Sequence, residues 1–187
     1  EDHWLTPRIP AGWMVIPYEK TGERHTRWFP ARGDTLRHLE ALLSVLEEAG
    51  LPVAQLRPLS LFRAPAYNRK VGSGLFSRHP YGDAMDFFFD GDDDGAMDDL
   101  TGDGRVNLND ALRVIRAVEA AQAAGRLPLG GIGAYYWPRG GNRHRLTFHI
   151  DFRGHRATWG YQYDRRGRRE FTWESKHFDE NGKLRRP

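Results

Sequence analysis

Two short, widely separated segments constrain the fold of this chain more than any other feature. In the first, His79 is expected in a loop and Asp86 at the start of a strand, with Gly82 allowing a sharp turn between them. In the second, His149 and Asp151 alternate along a later strand and therefore face the same side. Histidine and aspartate are ordinary zinc ligands, and three such ligands leave one coordination position open. We therefore expect a fold that joins this loop to two distant strands.

Hydrophobic periodicity predicts a mixed α+β domain. One helix is expected after an Asp34 N-cap and before a Gly50 stop, and another after a cap at Asn109 or Asp110 and before Gly125. Strands are predicted at Trp13–Ile16, Leu59–Phe62, Ala84–Phe89, Gly131–Trp137, Leu146–Phe152 and Ala157–Tyr163, with a short helix or turn at Ala66–Val71. The last three strands are expected in an antiparallel sheet, and Asp179–Gly182 is expected to form a hairpin turn. We treat residues 1–187 as a single domain, with an insertion at about 90–110 and a charged C-terminal β tail at about 161–187.

Composition excludes several classes of protein. The 187 residues contain no cysteine, which excludes disulfides, thiolate catalysis and thiolate zinc sites together. No stretch approaches the roughly 18 apolar residues that a membrane helix requires. The chain begins with Glu1, and we interpret it as a processed chain whose targeting segment is missing, with an extracytoplasmic destination. We expect a monomer.

The net charge of +3 conceals a segregation of charge. Residues 83–110 hold ten aspartates against Arg105, a net charge of −9, so the rest of the chain carries +12. A basic body suits an anionic partner such as a cell-wall polymer or nucleic acid, although a merely solvated arginine-rich surface explains it as well. Ten clustered carboxylates repel one another unless a cation joins them.

Part of this acidic insertion follows the spacing of an EF-hand calcium loop. Oxygen donors fall at loop positions 1, 3, 5, 9 and 12, Gly104 lies at position 6, and position 7 contributes its carbonyl. The predicted calcium ligands are Asp99, Thr101, Asp103, Arg105, Asn107 and Asp110. The preceding run has similar early spacing, and a second calcium ion is predicted on Asp90, Asp92, Asp94 and Asp98. The alternative is an acidic loop that binds no ion. The position of Gly104, at the sixth residue of the calcium-loop pattern, disfavours this alternative.

The motifs resemble those of the zinc D-Ala-D-Ala carboxypeptidase family, whose fold is shared by the hedgehog signalling domain. The matching pattern is Ser-x-His-x-x-Gly-x-Ala-x-Asp at Ser77–Asp86, followed by His149-x-Asp151. Ser60–Asn68 looks like the family's Ser-Gly-Tyr-Arg-Ser-Pro-x-x-Asn segment. Gly131–Tyr136 and Phe148–Asp151, with the matching stretch ending at Trp159, resemble the related murein endopeptidase-like branch. The resemblance covers roughly residues 34–160 and implies a hedgehog/DD-peptidase-like sheet with flanking helices.

The resemblance assigns roles to individual residues. It implies zinc on His79, Asp86 and His149, with Arg63 directed at the scissile carbonyl or a terminal carboxylate. Substrate contacts are implied for Ser77, Asn68 and Tyr135. Many family members place a glutamate general base three residues before the last histidine ligand, where this chain has Leu146. Asp151 and then His144 are the substitute candidates for the base, and Asp151 could instead orient a ligand histidine.

The function expected from these features is zinc-dependent cleavage of peptide bonds in peptidoglycan stems or cross-links. A non-catalytic module of the same fold, stabilised by zinc and calcium and binding cell wall or protein, is the first alternative. A nucleic-acid binder is the second, but its arginines are interspersed with acidic residues and no nucleic-acid motif accompanies them. Those arginines are Arg165, Arg166, Arg168 and Arg169. Five further histidines, His3, His25, His38, His155 and His177, receive no role.

Overall fold

A computed structural model describes residues 13–18, 27–74, 76–139, 142–179, 183 and 185, with only the backbone described for 13–18, 27–31 and Phe171. The described residues form three α-helices: α1 (Gly33–Glu48), α2 (Pro65–Lys70) and α3 (Leu108–Ala123). The strands are β1 (Trp13–Tyr18), β2 (Arg27–Arg32), β3 (Leu56–Ser60), β4 (Ala84–Phe89), β5 (Gly131–Tyr136), β6 (Leu146–Asp151), β7 (Ala157–Tyr163) and β8 (Arg169–Trp173). The predicted α+β class is confirmed. No helix in the described part of the chain is long and apolar enough to cross a membrane.

The strands form a β1-β2 ribbon and a six-stranded sheet in the order β3-β4-β6-β5-β7-β8. The prediction of an antiparallel sheet is wrong at one pair, because β5 and β7 run parallel. The reason is topological. The chain reverses between β5 and β6 and again between β6 and β7, so β7 runs in the direction of β5. Since β4 occupies the other edge of β6, β7 pairs with the free edge of β5.

Alternate residues of β4 and β6 point to opposite faces of the sheet, and one of these faces packs against the hydrophobic core. Phe87 and Phe89 of β4 and Phe148 and Ile150 of β6 are buried in a core shared with α1 and α3. The alternate residues, Asp86 and Phe88 in β4 and His149 in β6, point to the opposite face of the sheet, where the candidate ligands lie. The fold thus uses its helices to cover one face and leaves the other for the site.

The helix ends differ from the predicted caps. Arg32, not Asp34, is the N-cap of α1, and the Asp34 carboxylate instead accepts from the Thr35 N–H and pairs with Arg32. Asn107 caps α3, and Asp110 is the third helical residue of a capping box. The predicted stops are correct, since Gly50 and Gly125 follow the helix ends with φ of +70°.

The C-terminal tail is more ordered than its charge indicates. Its strand β8 pairs with β7 and buries Trp173 completely, with the indole packed edge-on against Phe178. Gly160 lies opposite Trp173, and a Cβ there would come within 2.0 Å of the indole ring. The predicted turn at Asp179–Gly182 falls largely outside the described residues.

Candidate metal centre

The candidate site is one row of residues running across five strands of the sheet. Register pairs Ser60 with Asp86, Asp86 with His149, His149 with Gly133, and Gly133 with Trp159. Cross-strand neighbours on one face lie about 4.5–5.5 Å apart at their Cβ atoms, so their side chains meet. Backbone pairing therefore places two candidate ligands next to each other.

His79 joins Asp86 and His149 from a short 3-10 turn, His79–Tyr81, that precedes β4. Its Nε2 atom lies 3.1 Å from Asp86 Oδ1, and His149 Nδ1 lies 2.9 Å from the same oxygen. One ligand atom from each of the three residues lies within 4.8 Å of the others, so the group could hold a metal ion. Two imidazole nitrogens and one carboxylate oxygen are a donor set that suits zinc.

The far side of each imidazole is also engaged. His79 Nδ1 donates to the Leu61 carbonyl at 2.5 Å, and His149 Nε2 donates to Asp151 Oδ2 at 3.0 Å. A hydrogen bond from the outer nitrogen fixes the tautomer and the ring orientation of a metal-binding histidine. The inner nitrogens, Nε2 of His79 and Nδ1 of His149, are thereby directed at the common centre, and the residues present fit a metal ion.

Ionisation of the group supports the same assignment. Burial opposes the charge on Asp86, but hydrogen bonds and charge from His149 and His79 hold the pKa of its carboxyl well below the usual range. Burial lowers the pKa of His149, and its contacts with Asp151 and Asp86 outweigh this effect, so the pKa is raised. A positive charge on His149 and the negative charge of Asp86 therefore stabilise each other, as a bound cation would stabilise Asp86.

Asp151 lies behind His149 and is fully buried. Its Oδ1 accepts from the Gly131 N–H at 3.0 Å and from Arg153 Nε at 2.7 Å, and its Oδ2 binds His149 and the Arg153 Nη2 group. Burial opposes its charge, but His149 and Arg153 hold the pKa of Asp151 below the usual range. Of its two predicted roles, this geometry favours orientation of His149 over action as a base.

Trp159, where the family resemblance ends, belongs to the site although sequence reasoning gave it no role. Its ring centroid lies 5.4 Å from that of His149, and its Nε1 donates to the Tyr135 hydroxyl at 3.2 Å. The indole occupies space that Gly133 leaves open, because a Cβ on Gly133 would come within 2.2 Å of it. The Gly133–Trp159 pairing depends on cross-strand register, which no local motif reveals.

Arg63 is held beside the metal group. Its Nε donates to Ser60 Oγ at 2.9 Å, its Nη1 to Ser73 Oγ at 3.2 Å, and its Nη2 group pairs with Asp86 Oδ2. Asp86 thus presents one oxygen to the histidines and the other to Arg63. The guanidinium lines the same cavity as the candidate ligands.

The candidate ligands lie at the base of an open cavity of about 580 Å³. Of the predicted substrate contacts, Ser77 and Tyr135 line it, whereas Asn68 is buried behind Ser77 and accepts its hydroxyl hydrogen bond at 3.2 Å. Burial raises the pKa of Tyr135, so its hydroxyl stays protonated. Much of the remaining wall is aromatic or basic, from Phe76, Trp159, Tyr161, Tyr163, Arg153 and Arg169.

The two other base positions lie away from the cavity. Leu146 has no exposed surface, and its odd offset from His149 in β6 turns it to the core face. His144 contacts the acidic insertion, with Nδ1 donating to the Gly95 carbonyl at 2.6 Å and its ring 4.4 Å from that of Phe88. Among the described residues that line the cavity, Asp86 is the only carboxylate.

The EF-hand-like loop is held by internal hydrogen bonds, but its carboxylates do not form a group close enough to share an ion. The Gly104 N–H donates to Asp99 Oδ2 at 2.6 Å, and Asp103 accepts from the Arg105 N–H and the Asn107 amide. Asp110, however, is buried, with Oδ1 on the Leu100 and Thr101 N–H groups and Oδ2 on the Asn107 N–H. Among the described residues, the carboxylates that gather are instead Asp90, Asp92 and Asp98. Asp94, predicted with them, is outside this group and accepts from the Ala96 N–H.

Three of the four arginine side chains of the nucleic-acid alternative contact other parts of the protein. Arg168 pairs with Asp164 at 2.6 Å, Arg165 donates to the Arg139 carbonyl, and Arg169 lies 3.8 Å from the Tyr161 ring centroid. Arg166 donates its backbone N–H to Asp164. Of the histidines without a role, His38 packs against Phe152, His155 is exposed and His177 accepts from the Glu174 N–H. His3 and His25 lie outside the described residues.

Comparison of the chain with protein-family models, with curated proteins and with solved structures finds no match.

Proposed function

We propose that this protein is an extracytoplasmic zinc-dependent peptidase of the hedgehog/DD-peptidase fold that cleaves peptide bonds in peptidoglycan stems or cross-links. The observation that carries the proposal is the convergence of His79, Asp86 and His149 at the base of an open cavity. Each outer histidine nitrogen is occupied by a protein acceptor, as in zinc sites. Three protein ligands and an open fourth side are typical of catalytic rather than structural zinc.

The chain's own residues have defined tasks in such a reaction. When bound, zinc supplies Lewis acidity and lowers the pKa of water towards neutrality. Arg63, held by Ser60 and Ser73, stabilises negative charge that develops on the substrate carbonyl. The Tyr135 hydroxyl accepts from Trp159 and keeps its own proton, which it can donate to the substrate. The Trp159 ring packs against the buried His149 ring and holds it in place.

The electrostatics of the cavity support a substrate that carries carboxylates. Arg63, Arg153 and Arg169 line the cavity, with Arg63 paired to Asp86 and Arg153 paired to the buried Asp151 behind the wall. Guanidinium groups bind carboxylates with two parallel hydrogen bonds. Stem peptides end in a free carboxylate and have further carboxylates on their side chains. The aromatic wall supplies apolar surface for the short side chains of such peptides.

A binding module of the same fold is the second candidate function, and one observation favours it. The described cavity wall offers no carboxylate beyond the ligand Asp86, and Leu146 occupies the position of the family's general base. In that case zinc and the cavity would serve recognition, with no bond cleaved.

Muropeptide release from purified peptidoglycan, with zinc and calcium supplied, distinguishes the two functions. Wild type is compared with His79→Ala, which removes a ligand, and with His155→Ala, which removes an exposed histidine away from the cavity. Zinc content is measured for each variant by elemental analysis. We expect one zinc and soluble products from wild type and His155→Ala, and neither from His79→Ala. A wild type that holds one zinc yet releases no products would leave the binding module as the function.

We also propose that the loop Asp99–Asp110 binds calcium and orders the start of α3. Desolvation opposes the charge on Asp99, but hydrogen bonds from Gly104, Gly102 and Thr101 lower its pKa to about 2, so the carboxylate stays ionised. Calcium favours such oxygen donors, and its millimolar concentration outside cells suits loops of this kind.

A further inference from the structure

A second cluster of carboxylates lies in the segment that directly follows β4. Ligand atoms of Asp90, Asp92 and Asp98 all lie within 4.8 Å of one another. Among the described residues, no lysine, arginine or histidine forms an ion pair with any of the three. Three carboxylates at this separation repel strongly unless a cation lies between them.

Asp90 provides a second, independent indication. Its side chain is 2% exposed, and one oxygen, Oδ2, accepts from the Gly95 N–H at 3.0 Å. The other oxygen, Oδ1, is buried and has no hydrogen-bond partner among the described residues. Buried polar atoms are almost always paired, and a bare carboxylate oxygen is among the most costly exceptions. A partner for this oxygen must therefore come from outside the described residues.

The backbone holds these carboxylates in place. The Gly91 N–H donates to Asp98 Oδ2 at 2.6 Å, and the Asp94 N–H donates to Asp92 Oδ1 at 3.2 Å. The Asp98 N–H donates to the Phe89 carbonyl at 2.9 Å, which closes the segment into a loop. The oxygens are thus fixed by main-chain bonds rather than free to move apart in solvent.

We propose that Asp90, Asp92 and Asp98 bind a calcium ion, at a site separate from the loop Asp99–Asp110. The donors are all oxygens, and three carboxylates with no nitrogen or sulfur ligand suit a hard cation. The ion completes the coordination of Asp90 Oδ1 and joins the three negative charges. This site does not depend on zinc or on peptidase activity.

The location gives the ion a structural task. Asp90 follows β4, which carries Asp86, and the same loop bonds to the segment before β6, which carries His149. The Met97 N–H donates to the His144 carbonyl at 3.1 Å, and His144 Nδ1 donates to the Gly95 carbonyl at 2.6 Å. Calcium in this loop therefore ties together the ends of the two strands that present metal ligands.

Calcium bound per chain, measured by equilibrium dialysis and by native mass spectrometry, tests the proposal. The informative variant is Asp92→Asn, because Asp92 is exposed and its loss does not disturb the core. The matched control is Asp93→Asn, which removes the same charge from the adjacent position. Asp93 lies outside the cluster, and asparagine tolerates its φ of 62°.

We expect Asp92→Asn to bind one calcium fewer than wild type, or to bind its last calcium at least tenfold more weakly, whereas Asp93→Asn matches wild type. A double variant of the other loop, Asp99→Asn with Asp103→Asn, should keep one calcium that the further change Asp92→Asn removes. Equal calcium binding by wild type and Asp92→Asn would overturn the proposal. Complete loss of calcium binding by the double variant Asp99→Asn/Asp103→Asn, with a native circular dichroism spectrum, would overturn it as well.

Discussion

Replacing Asp151 by asparagine tests whether this residue orients His149 or acts as a base. The change keeps the shape of the side chain but removes the charge that fixes the Nε2–H of His149 and pairs with Arg153. Loss of a hydrogen-bonded carboxylate behind a metal-binding histidine typically weakens metal binding by about 10–100-fold. That loss corresponds to about 1.4–2.8 kcal/mol of binding free energy.

The same substitution should also destabilise the metal-free fold. Asp151 has no exposed surface, and removing one partner of a buried ion pair costs about 3–5 kcal/mol. For a domain of this size each kcal/mol lowers Tm by about 2–4 °C, so a decrease of about 6–20 °C is expected. Asp83→Asn is the matched control, because Asp83 is buried and pairs with Arg78 but touches neither candidate histidine ligand.

Zinc affinity, from competition with a chromophoric chelator, and Tm, from circular dichroism, are the two readouts. We expect both variants to lose stability and Asp151→Asn alone to lose zinc affinity. Zinc affinity of Asp151→Asn within twofold of wild type would refute the orienting role. Loss of turnover with full zinc affinity would instead identify Asp151 as a base.

Three further predictions follow from individual contacts. Gly133→Ala should displace the Trp159 indole and lower the free energy of unfolding by about 1–3 kcal/mol, which is a Tm decrease of about 2–12 °C. The control Gly74→Ala adds a methyl group in open space and should leave the Tm of thermal unfolding unchanged. Since the pKa of His149 is raised in the metal-free chain, its protonation stabilises that form below about pH 6.5, and the stabilisation is lost as pH rises through the folded pKa. Zinc binding displaces this proton, so zinc affinity should increase with pH above 6.5, and calorimetry in buffers of different ionisation enthalpy should detect the released proton. Leu146→Glu should restore no base, because the side chain faces the core, and urea denaturation should show a loss of more than about 3 kcal/mol.

The sequence predicts those features that depend on local pattern. His79, Asp86 and His149 are identified from residue type, spacing and a family resemblance, and the structure brings their side chains together. The strand bounds of β4 and β7 match the predicted ones because aromatic runs and turn residues delimit them. The helix stops at Gly50 and Gly125 follow from the conformational freedom of glycine.

Features that depend on tertiary pairing could not be predicted. The parallel β5-β7 pair arises because β4 occupies the far edge of β6, which local periodicity does not record. Trp159 reaches His149 only because register aligns it with Gly133. Asp34 is a good capping residue by type, yet Arg32 takes its carboxylate and moves the start of the helix.

The three candidate ligands are not fixed with equal rigidity. Asp86 and His149 lie on interior strands that are hydrogen-bonded along both edges, so their separation is set by the sheet. His79 comes from a 3-10 turn, whose position rests on the bond from its ring to the Leu61 carbonyl and on the Arg63 N–H bond to its own carbonyl. Ligand positions set by loops depend more on the bound metal than positions set by a sheet. Metal removal should therefore loosen the turn at His79 first, and amide hydrogen exchange should accelerate there while β4 and β6 remain protected.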